Sequence, residues 1–361
     1  MFTKYMPGIP LTFSALVVEF LVCALFLLIF ATKLSKYADA LEKKTATSAI
    51  WIGMVFLAVV TSIPEAVASV GSALMEGALN LGAGNLFGSS TFNLSIIIIL
   101  DVLHGSRPLL LGVQSGLIVG ATGGILLMAT VAMAIGFHQL PEAEAWGPLT
   151  GVLFTFAIVA GYFMLSRVTS KELPAESMAT EGDATKAVAR AYDYSSRRIF
   201  SRLGIYSALL ILDAVWLLRV CDSMAIVPLH LGATELLLGR TVTGTFILSL
   251  ATSLPEFFVS LAACRLGQTN MAIANLLGSN MVNVLFVPVM HVFSRDSRFY
   301  ALLDPSALIV LCTAILMSGL FIVGLRVRSS KSFLFLGWET ICMLAVYIAG
   351  GLLVMRVGLT F

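Results

Sequence analysis

Thr61-Ser-Ile-Pro-Glu65-Ala-Val-Ala-Ser69 and Thr252-Ser-Leu-Pro-Glu256-Phe-Phe-Val-Ser260 are one phrase written twice, 191 positions apart, each inside an otherwise apolar run. A second phrase follows each copy: Asn85-Leu-Phe-Gly-Ser-Ser-Thr-Phe-Asn93 after the first, Asn275-Leu-Leu-Gly-Ser-Asn-Met-Val-Asn283 after the second. A carboxylate near the middle of a membrane helix costs roughly 2.5 to 3.5 kcal/mol on insertion scales. The same acid at matching places in two halves therefore points to function rather than packing, with something cationic offsetting it.

Composition supports the membrane reading. Of the 361 residues, 58% are hydrophobic and only 12% charged, and the mean hydropathy of +0.97 is too high for a soluble domain. Hydropathy breaks predict ten spans, at about 13–34, 46–74, 81–103, 109–135, 148–168, 203–222, 236–264, 270–294, 305–326 and 333–355. The first reads as a retained span rather than a signal peptide, because no small-residue cleavage site follows it. The long polar segment from Ser170 to Arg198 separates five spans from five. With an odd number of spans in the first half, equivalent helices cross the membrane in opposite directions, as in many secondary transporters. The expected fold is an all-α membrane protein: ten transmembrane helices as two inverted five-helix repeats, residues 1–168 and 203–361, joined by a linker at 169–202.

Most of the 22 lysines and arginines fall in loops after odd-numbered spans, seven of them around the linker (Arg167, Lys171, Lys186, Arg190, Arg197, Arg198, Arg202). The positive-inside rule then puts the linker in the cytoplasm and both termini outside. The linker is shorter than the ~40 residues an unassisted folded domain needs, so no regulatory domain is expected there. The net charge of +2 is spread over loops and forms no nucleic-acid patch. The five cysteines, Cys23, Cys221, Cys264, Cys312 and Cys342, lack metal-ligand spacing and read as small buried residues. Trp51, Trp146, Trp216 and Trp338 read as interface anchors near span ends.

Residues four apart share a helix face, so Thr61, Glu65 and Ser69 form one oxygen-bearing stripe, and Thr252, Glu256 and Ser260 its counterpart. Pro64 and Pro255 donate no amide hydrogen, which leaves the carbonyls of Val60 and Ala251 without helical partners and predicts an opening of the helix there. The second phrases repeat the logic with neutral groups: Asn85, Ser89 and Asn93 stack at four-residue spacing, as do Asn275, Ser279 and Asn283. An oxygen-rich, flexible cage with two carboxylates suits calcium better than magnesium, which demands a tight octahedron. No His, Cys or Met stands at ligand spacing here, so zinc and copper are poorly served. The same oxygens can hold sodium or protons in place of calcium, which is the physical basis of exchange. Gly84-xxx-Gly88 and Ala274-xxx-Gly278 read as close-packing positions. For Glu19 and Asp213, in the first span of each half, two readings stay open: gate or cation-path residues, or acids paired with a neighbouring polar group. Glu76 and Asp101, near span ends, read as solvated acids.

Twice-written Thr-Ser-(Ile/Leu)-Pro-Glu followed by Asn-x-x-Gly-Ser-x-x-x-Asn, in a ten-span chain, resembles the alpha-repeats of the sodium/calcium exchangers in the cation/calcium antiporter superfamily. The resemblance implies alternating access, with ion sites built from the second, third, seventh and eighth spans. It implies that Glu65 and Glu256 hold calcium with help from Thr61 and Thr252. Ser62, Ser69, Asn93, Ser253, Ser260, Ser279 and Asn283 would serve the neighbouring sodium or solvent positions. Two departures stand out: Val60 and Ala251 occupy positions where family members often carry Gly, and Asn283 stands where potassium-dependent and some microbial relatives carry Asp. The expected protein is not an enzyme and needs no cofactor; it exchanges calcium for sodium across a plasma or inner membrane. A proton-driven calcium antiporter is the alternative, and a channel or membrane scaffold a more distant one. Its partners are calcium and sodium ions and the lipid bilayer; the sequence points to no nucleic acid and names no protein partner.

Overall fold

The computed structural model describes residues 12–45, 58–105, 108–146, 148–172, 195–231, 234–328, 332–333 and 336–358. These residues are almost wholly helical. In chain order the helices are α1 (Phe13–Thr45), α2 (Ala58–Thr61), α3 (Ile63–Ala73), α4 (Leu79–His104), α5 (Leu117–His138), α6 (Pro148–Glu172), α7 (Ser196–Ile226), α8 (Arg240–Thr252), α9 (Leu254–Arg265), α10 (Thr269–Ser294), α11 (Ser306–Val327) and α12 (Trp338–Gly358). Two small antiparallel ribbons qualify the all-helical expectation: β1 (Leu229–Leu231) with β2 (Thr234–Leu236), and β3 (Ser332–Phe333) with β4 (Leu336–Gly337). Both sit in connections, where a short hairpin satisfies backbone groups that would otherwise need water.

Among the described residues, eight helices are long and apolar enough to cross a membrane, and nine if the pair α8 and α9, bent by 43°, counts as one span. The predicted second span is represented by α2 and α3; residues 46–57 of it, Trp51 included, lie outside the described residues. So does most of the predicted linker. Its described end, 195–202, already belongs to α7, which Ser195 caps by accepting from the Arg198 amide.

Two apolar cores organise the molecule. The larger gathers α4, α5, α10, α11 and α12 around residues such as Phe87, Met128, Leu276 and Phe321. In the smaller one α1 lies along α7, with Leu16, Cys23 and Leu27 against Leu210, Leu217 and Cys221. Ala68, Leu81, Leu248 and Ala251 join this second core, so α3, α4, α8 and α9 stand at the boundary between the two. Only glycines permit the closeness of α4 and α8. A Cβ on Gly84 would lie 2.8 Å from the Thr241 carbonyl oxygen, one on Gly88 2.7 Å from Thr245 Cα, and one on Gly244 3.0 Å from the Leu81 carbonyl carbon. Gly84 and Gly88 are thus packing positions, as their spacing suggests.

The cysteines are all free, but only Cys23 and Cys221 are buried; Cys312 and Cys342 are exposed and Cys264 is intermediate. An outward-facing thiol is cheap on a lipid-facing surface, which spacing along an apolar run cannot distinguish from a core position. Trp146 and Trp338 do sit exposed at helix ends. Trp216 lies in the middle of α7 and serves a buried acid instead of an interface. Asp101 is likewise not solvated: it is 1% exposed. Its Oδ1 accepts from the Leu109 amide at 2.6 Å, and its Oδ2 from Thr340 Oγ1 at 2.7 Å and the Gly337 amide at 3.3 Å, tying the end of α4 to the start of α12.

Candidate cation-binding centre

Each copy of the first phrase breaks its helix, but at the serine rather than at the proline. Ser62 (φ −84°, ψ 9°) separates α2 from α3, and Ser253 (φ −88°, ψ 5°) separates α8 from α9. Pro64 and Pro255 take up the second position of the helix that follows, where a missing amide hydrogen costs nothing. The carbonyl of Ala251, expected to be orphaned, accepts from the Ser253 amide across the break. Just before it, Thr243–Leu248 forms π-helical turns inside α8, a local widening found often at functional sites.

The breaks turn the hydroxyls across the molecule. Ser62 Oγ donates to Glu256 Oε1 at 3.2 Å, and Ser253 Oγ donates to Glu65 Oε1 at 3.1 Å. Thr61 and Thr252 follow the same exchange, with their hydroxyls reaching Glu256 and Glu65 respectively. Ser279 Oγ adds a 3.5 Å donor to Glu256 Oε1. Each acid is therefore served by the opposite phrase, and the two carboxylates are close enough for the charge of Glu256 to be felt at Glu65. Both are fully buried.

Their second oxygens, Glu65 Oε2 and Glu256 Oε2, have no hydrogen-bond partner among the described residues. The ion pairs among those residues are Arg240–Asp222 and Arg298–Asp296, so neither glutamate meets a cation there. Two more side chains share the pattern. Asn93 Oδ1 and both polar atoms of Asn283 are buried and unpartnered. A buried polar group without a hydrogen bond costs several kcal/mol, and an ionised one more; a hard cation coordinated by these oxygens removes that cost.

The other residues that the phrases single out divide in two. Thr252 Oγ1 donates to Asn85 Oδ1 at 3.0 Å and meets Ser89 Oγ at 3.5 Å. Thr61 Oγ1 also bonds back to the Ala58 carbonyl at 3.3 Å. Ser69 and Ser260 face elsewhere: Ser69 accepts from Asn85 Nδ2 at 3.0 Å, while Ser260 accepts from Asn275 Nδ2 at 3.4 Å and donates to the Ala272 carbonyl. These two serines clamp α3 to α4 and α9 to α10, and their hydroxyls do not reach the glutamates.

Asn280 escaped the reading of the sequence. Its Nδ2 donates to the Ser90 carbonyl at 3.2 Å and its Oδ1 accepts from Asn93 Nδ2 at 3.0 Å, which fixes the amide of Asn93 and leaves Oδ1 facing inward. The positions of Ser90 and Asn280 correspond between the two second phrases but carry different residues. Comparing the copies for identity passes over both.

Comparison with known proteins gives a consistent result. The family model described as sodium/calcium exchanger protein matches residues 15–169 and 205–355. The chain is 27% identical over 279 residues to the inner membrane protein YrbG of Escherichia coli (strain K12), a match covering 74% of this chain and 76% of that protein. It is 23% identical over 362 residues to the sodium/calcium exchanger MaX1 of Methanosarcina acetivorans, covering 92% and 97%. Among solved structures, the H+/Ca2+ exchanger CAX superposes with a TM-score of 0.65 at 12% identity, over 95% of this chain and 85% of that one. A sodium-calcium exchanger, NCX_Mj, soaked with Na+ and Sr2+, superposes with a TM-score of 0.58 at 18% identity, over 94% and 98%. At these identities the structures speak to the fold.

Proposed function

The chain belongs to the sodium/calcium exchanger protein family, and from that premise we propose that it exchanges calcium for sodium across a membrane by alternating access through the centre of Glu65 and Glu256. Being a multi-pass membrane cation/calcium antiporter places it among transporters rather than enzymes. The observation that carries the finer reading is the crossed pair: two fully buried carboxylates, each with one oxygen held by the opposite half and the other without a partner. Two ionised glutamates neutralise one divalent ion. The serine, threonine and asparagine oxygens beside them bring the donor number toward the six to eight oxygens that calcium prefers. Glu65, Glu256, Thr61, Thr252, Ser62, Ser253 and Ser279 form the calcium centre in this reading. Asn93 and Asn283 flank it and serve sodium, for which neutral oxygens suffice.

The ten-span plan, with halves 1–168 and 203–361 inverted about the linker 169–202, belongs to the same proposal. So do a cytoplasmic linker, outside termini and a plasma or inner membrane location. It is supported by the antisymmetric exchange of hydroxyls, which two inverted copies meeting face to face would produce. A proton-coupled calcium antiporter is the second reading. The fold likeness to the H+/Ca2+ exchanger favours it, as does the capacity of carboxylates to trade a metal ion for protons.

The test is calcium uptake into proteoliposomes under imposed sodium, potassium or proton gradients, applied singly. Sodium-driven uptake supports the first reading. Uptake driven by a pH gradient and not by sodium would replace it with the second.

A further inference from the structure

Two buried acids lie outside the crossed centre. Along α1 the buried positions Leu16, Glu19, Cys23, Leu27, Ala31 and Leu34 form one stripe. Along α7 Leu210, Asp213, Ala214, Leu217, Leu218 and Cys221 form another, and the two stripes pack together as one apolar seam. Glu19 and Asp213 are the acidic members of these stripes, 8% and 4% exposed, while Leu212 beside Asp213 is 68% exposed and faces outward. The carboxylate of Asp213 is thus directed into the seam.

The acids share one neighbourhood. Trp216, one turn beyond Asp213 on the same face of α7, donates its indole N–H to Glu19 Oε1 at 2.6 Å. Cys23, one turn beyond Glu19 on α1, feels the charges of both Asp213 and Glu19. The partners differ, however. Glu19 accepts a short hydrogen bond, whereas neither oxygen of Asp213 has a hydrogen-bond partner among the described residues.

No cation offsets them. The titratable groups on the seam itself are Glu19, Cys23, Asp213 and Cys221. Of the helices packed against it, α3 contributes Glu65 and α9 contributes Glu256, both committed to the crossed centre, and α9 ends in Cys264 and Arg265. Arg240 of α8 is held by Asp222 at 2.7 Å, and Arg219 on α7 is exposed. Two like charges in one apolar seam cannot both stay ionised without a counter-charge.

We propose that Glu19 and Asp213 form a second ion site, distinct from the Glu65–Glu256 centre, that binds a single proton on the Asp213 carboxyl. The indole N–H stabilises Glu19 as the charged partner, and Asp213, with nothing donating to it, carries the hydrogen. Protonation leaves the seam with one negative charge in place of two. The inference goes beyond the proposed exchange and stands whichever ion drives calcium.

The proton is read directly, without transport. Infrared difference spectra of the purified protein in lipid, taken between acid and alkaline pH, should show one protonated-carboxyl C=O band lost as pH rises. That band should be missing in Asp213→Asn and retained in Asp213→Glu, which also establishes that the seam still folds with a carboxyl present. Glu65→Gln and Glu256→Gln should leave it in place. A titrating band unchanged by Asp213→Asn would overturn the proposal. So would a wild-type spectrum with no such band, the result expected if a metal cation and not a proton fills the seam. Failure of sodium-driven calcium uptake would count against the proposed function and leave this band untouched.

Discussion

At the scale of single residues, the crossed hydroxyls make a specific demand. Removing Ser62 or Ser253 leaves a buried carboxylate oxygen without its donor, a loss of about 1.5–3 kcal/mol for a hydrogen bond to a charged group. Ser62→Ala and Ser253→Ala should therefore lower the thermal unfolding midpoint of the ion-free protein. The deficit should shrink in saturating calcium, because the metal then satisfies the same oxygen; an equal deficit with and without calcium would argue that the glutamates do not hold it. Glu65→Gln and Glu256→Gln each remove half the charge and should abolish calcium uptake in proteoliposomes. Asn280→Ala frees the Asn93 amide and should weaken ion affinity with little effect on the maximal rate, measured as a change in half-saturation for sodium. The sequence disclosed the glutamates because the duplicated phrase carries the acid in both copies. It misled on Ser69 and Ser260, because four-residue spacing places a side chain on a face but says nothing of where along that face a neighbouring amide, here Asn85 or Asn275, captures it. Asp101 was misjudged for a related reason: its three donors come from residues 109, 337 and 340, and hydropathy near a span end cannot foresee them.

At the scale of elements, α4 and α8 meet through Gly84, Gly88 and Gly244 with no room for a methyl group. Gly88→Ala and Gly244→Ala should each destabilise the protein by about 1–3 kcal/mol through overpacking, read as a lower unfolding midpoint in detergent. Alanine at Gly136, whose Cβ would meet nothing within 4 Å, is the control and should be nearly neutral. The two helix openings were legible from Pro64 and Pro255, but their position was not. Proline restricts the residue before it as well as its own hydrogen bonding, and here the backbone yields two residues earlier, at Ser62 and Ser253. That displacement matters, because it is the broken residue itself whose hydroxyl crosses to the far glutamate.

At the scale of the whole molecule, ligand binding and stability are linked. Calcium at a hundred times its dissociation constant should stabilise the folded protein by roughly 2.7 kcal/mol, and the Glu65→Gln/Glu256→Gln double variant should lose that shift. The proposed orientation has its own check. In a background lacking the five native cysteines, Ser177→Cys in the linker and Thr360→Cys at the C-terminus should react with an impermeant thiol reagent from opposite sides of the membrane. Labelling from the same side would refute an odd number of spans in the second half. The apolar runs and the polar linker made the multi-span plan visible in the sequence. They gave no sign of the division into two cores, since hydropathy marks which segments avoid water and is blind to which of them pack together. The exchange of hydroxyls between the glutamates carries a consequence for ancestry. Since each acid leans on the other copy's serine, the duplicated segments cannot drift apart as independent genes would: a change near residue 62 is judged by its fit to residue 256, and selection must correct the pair diagonally.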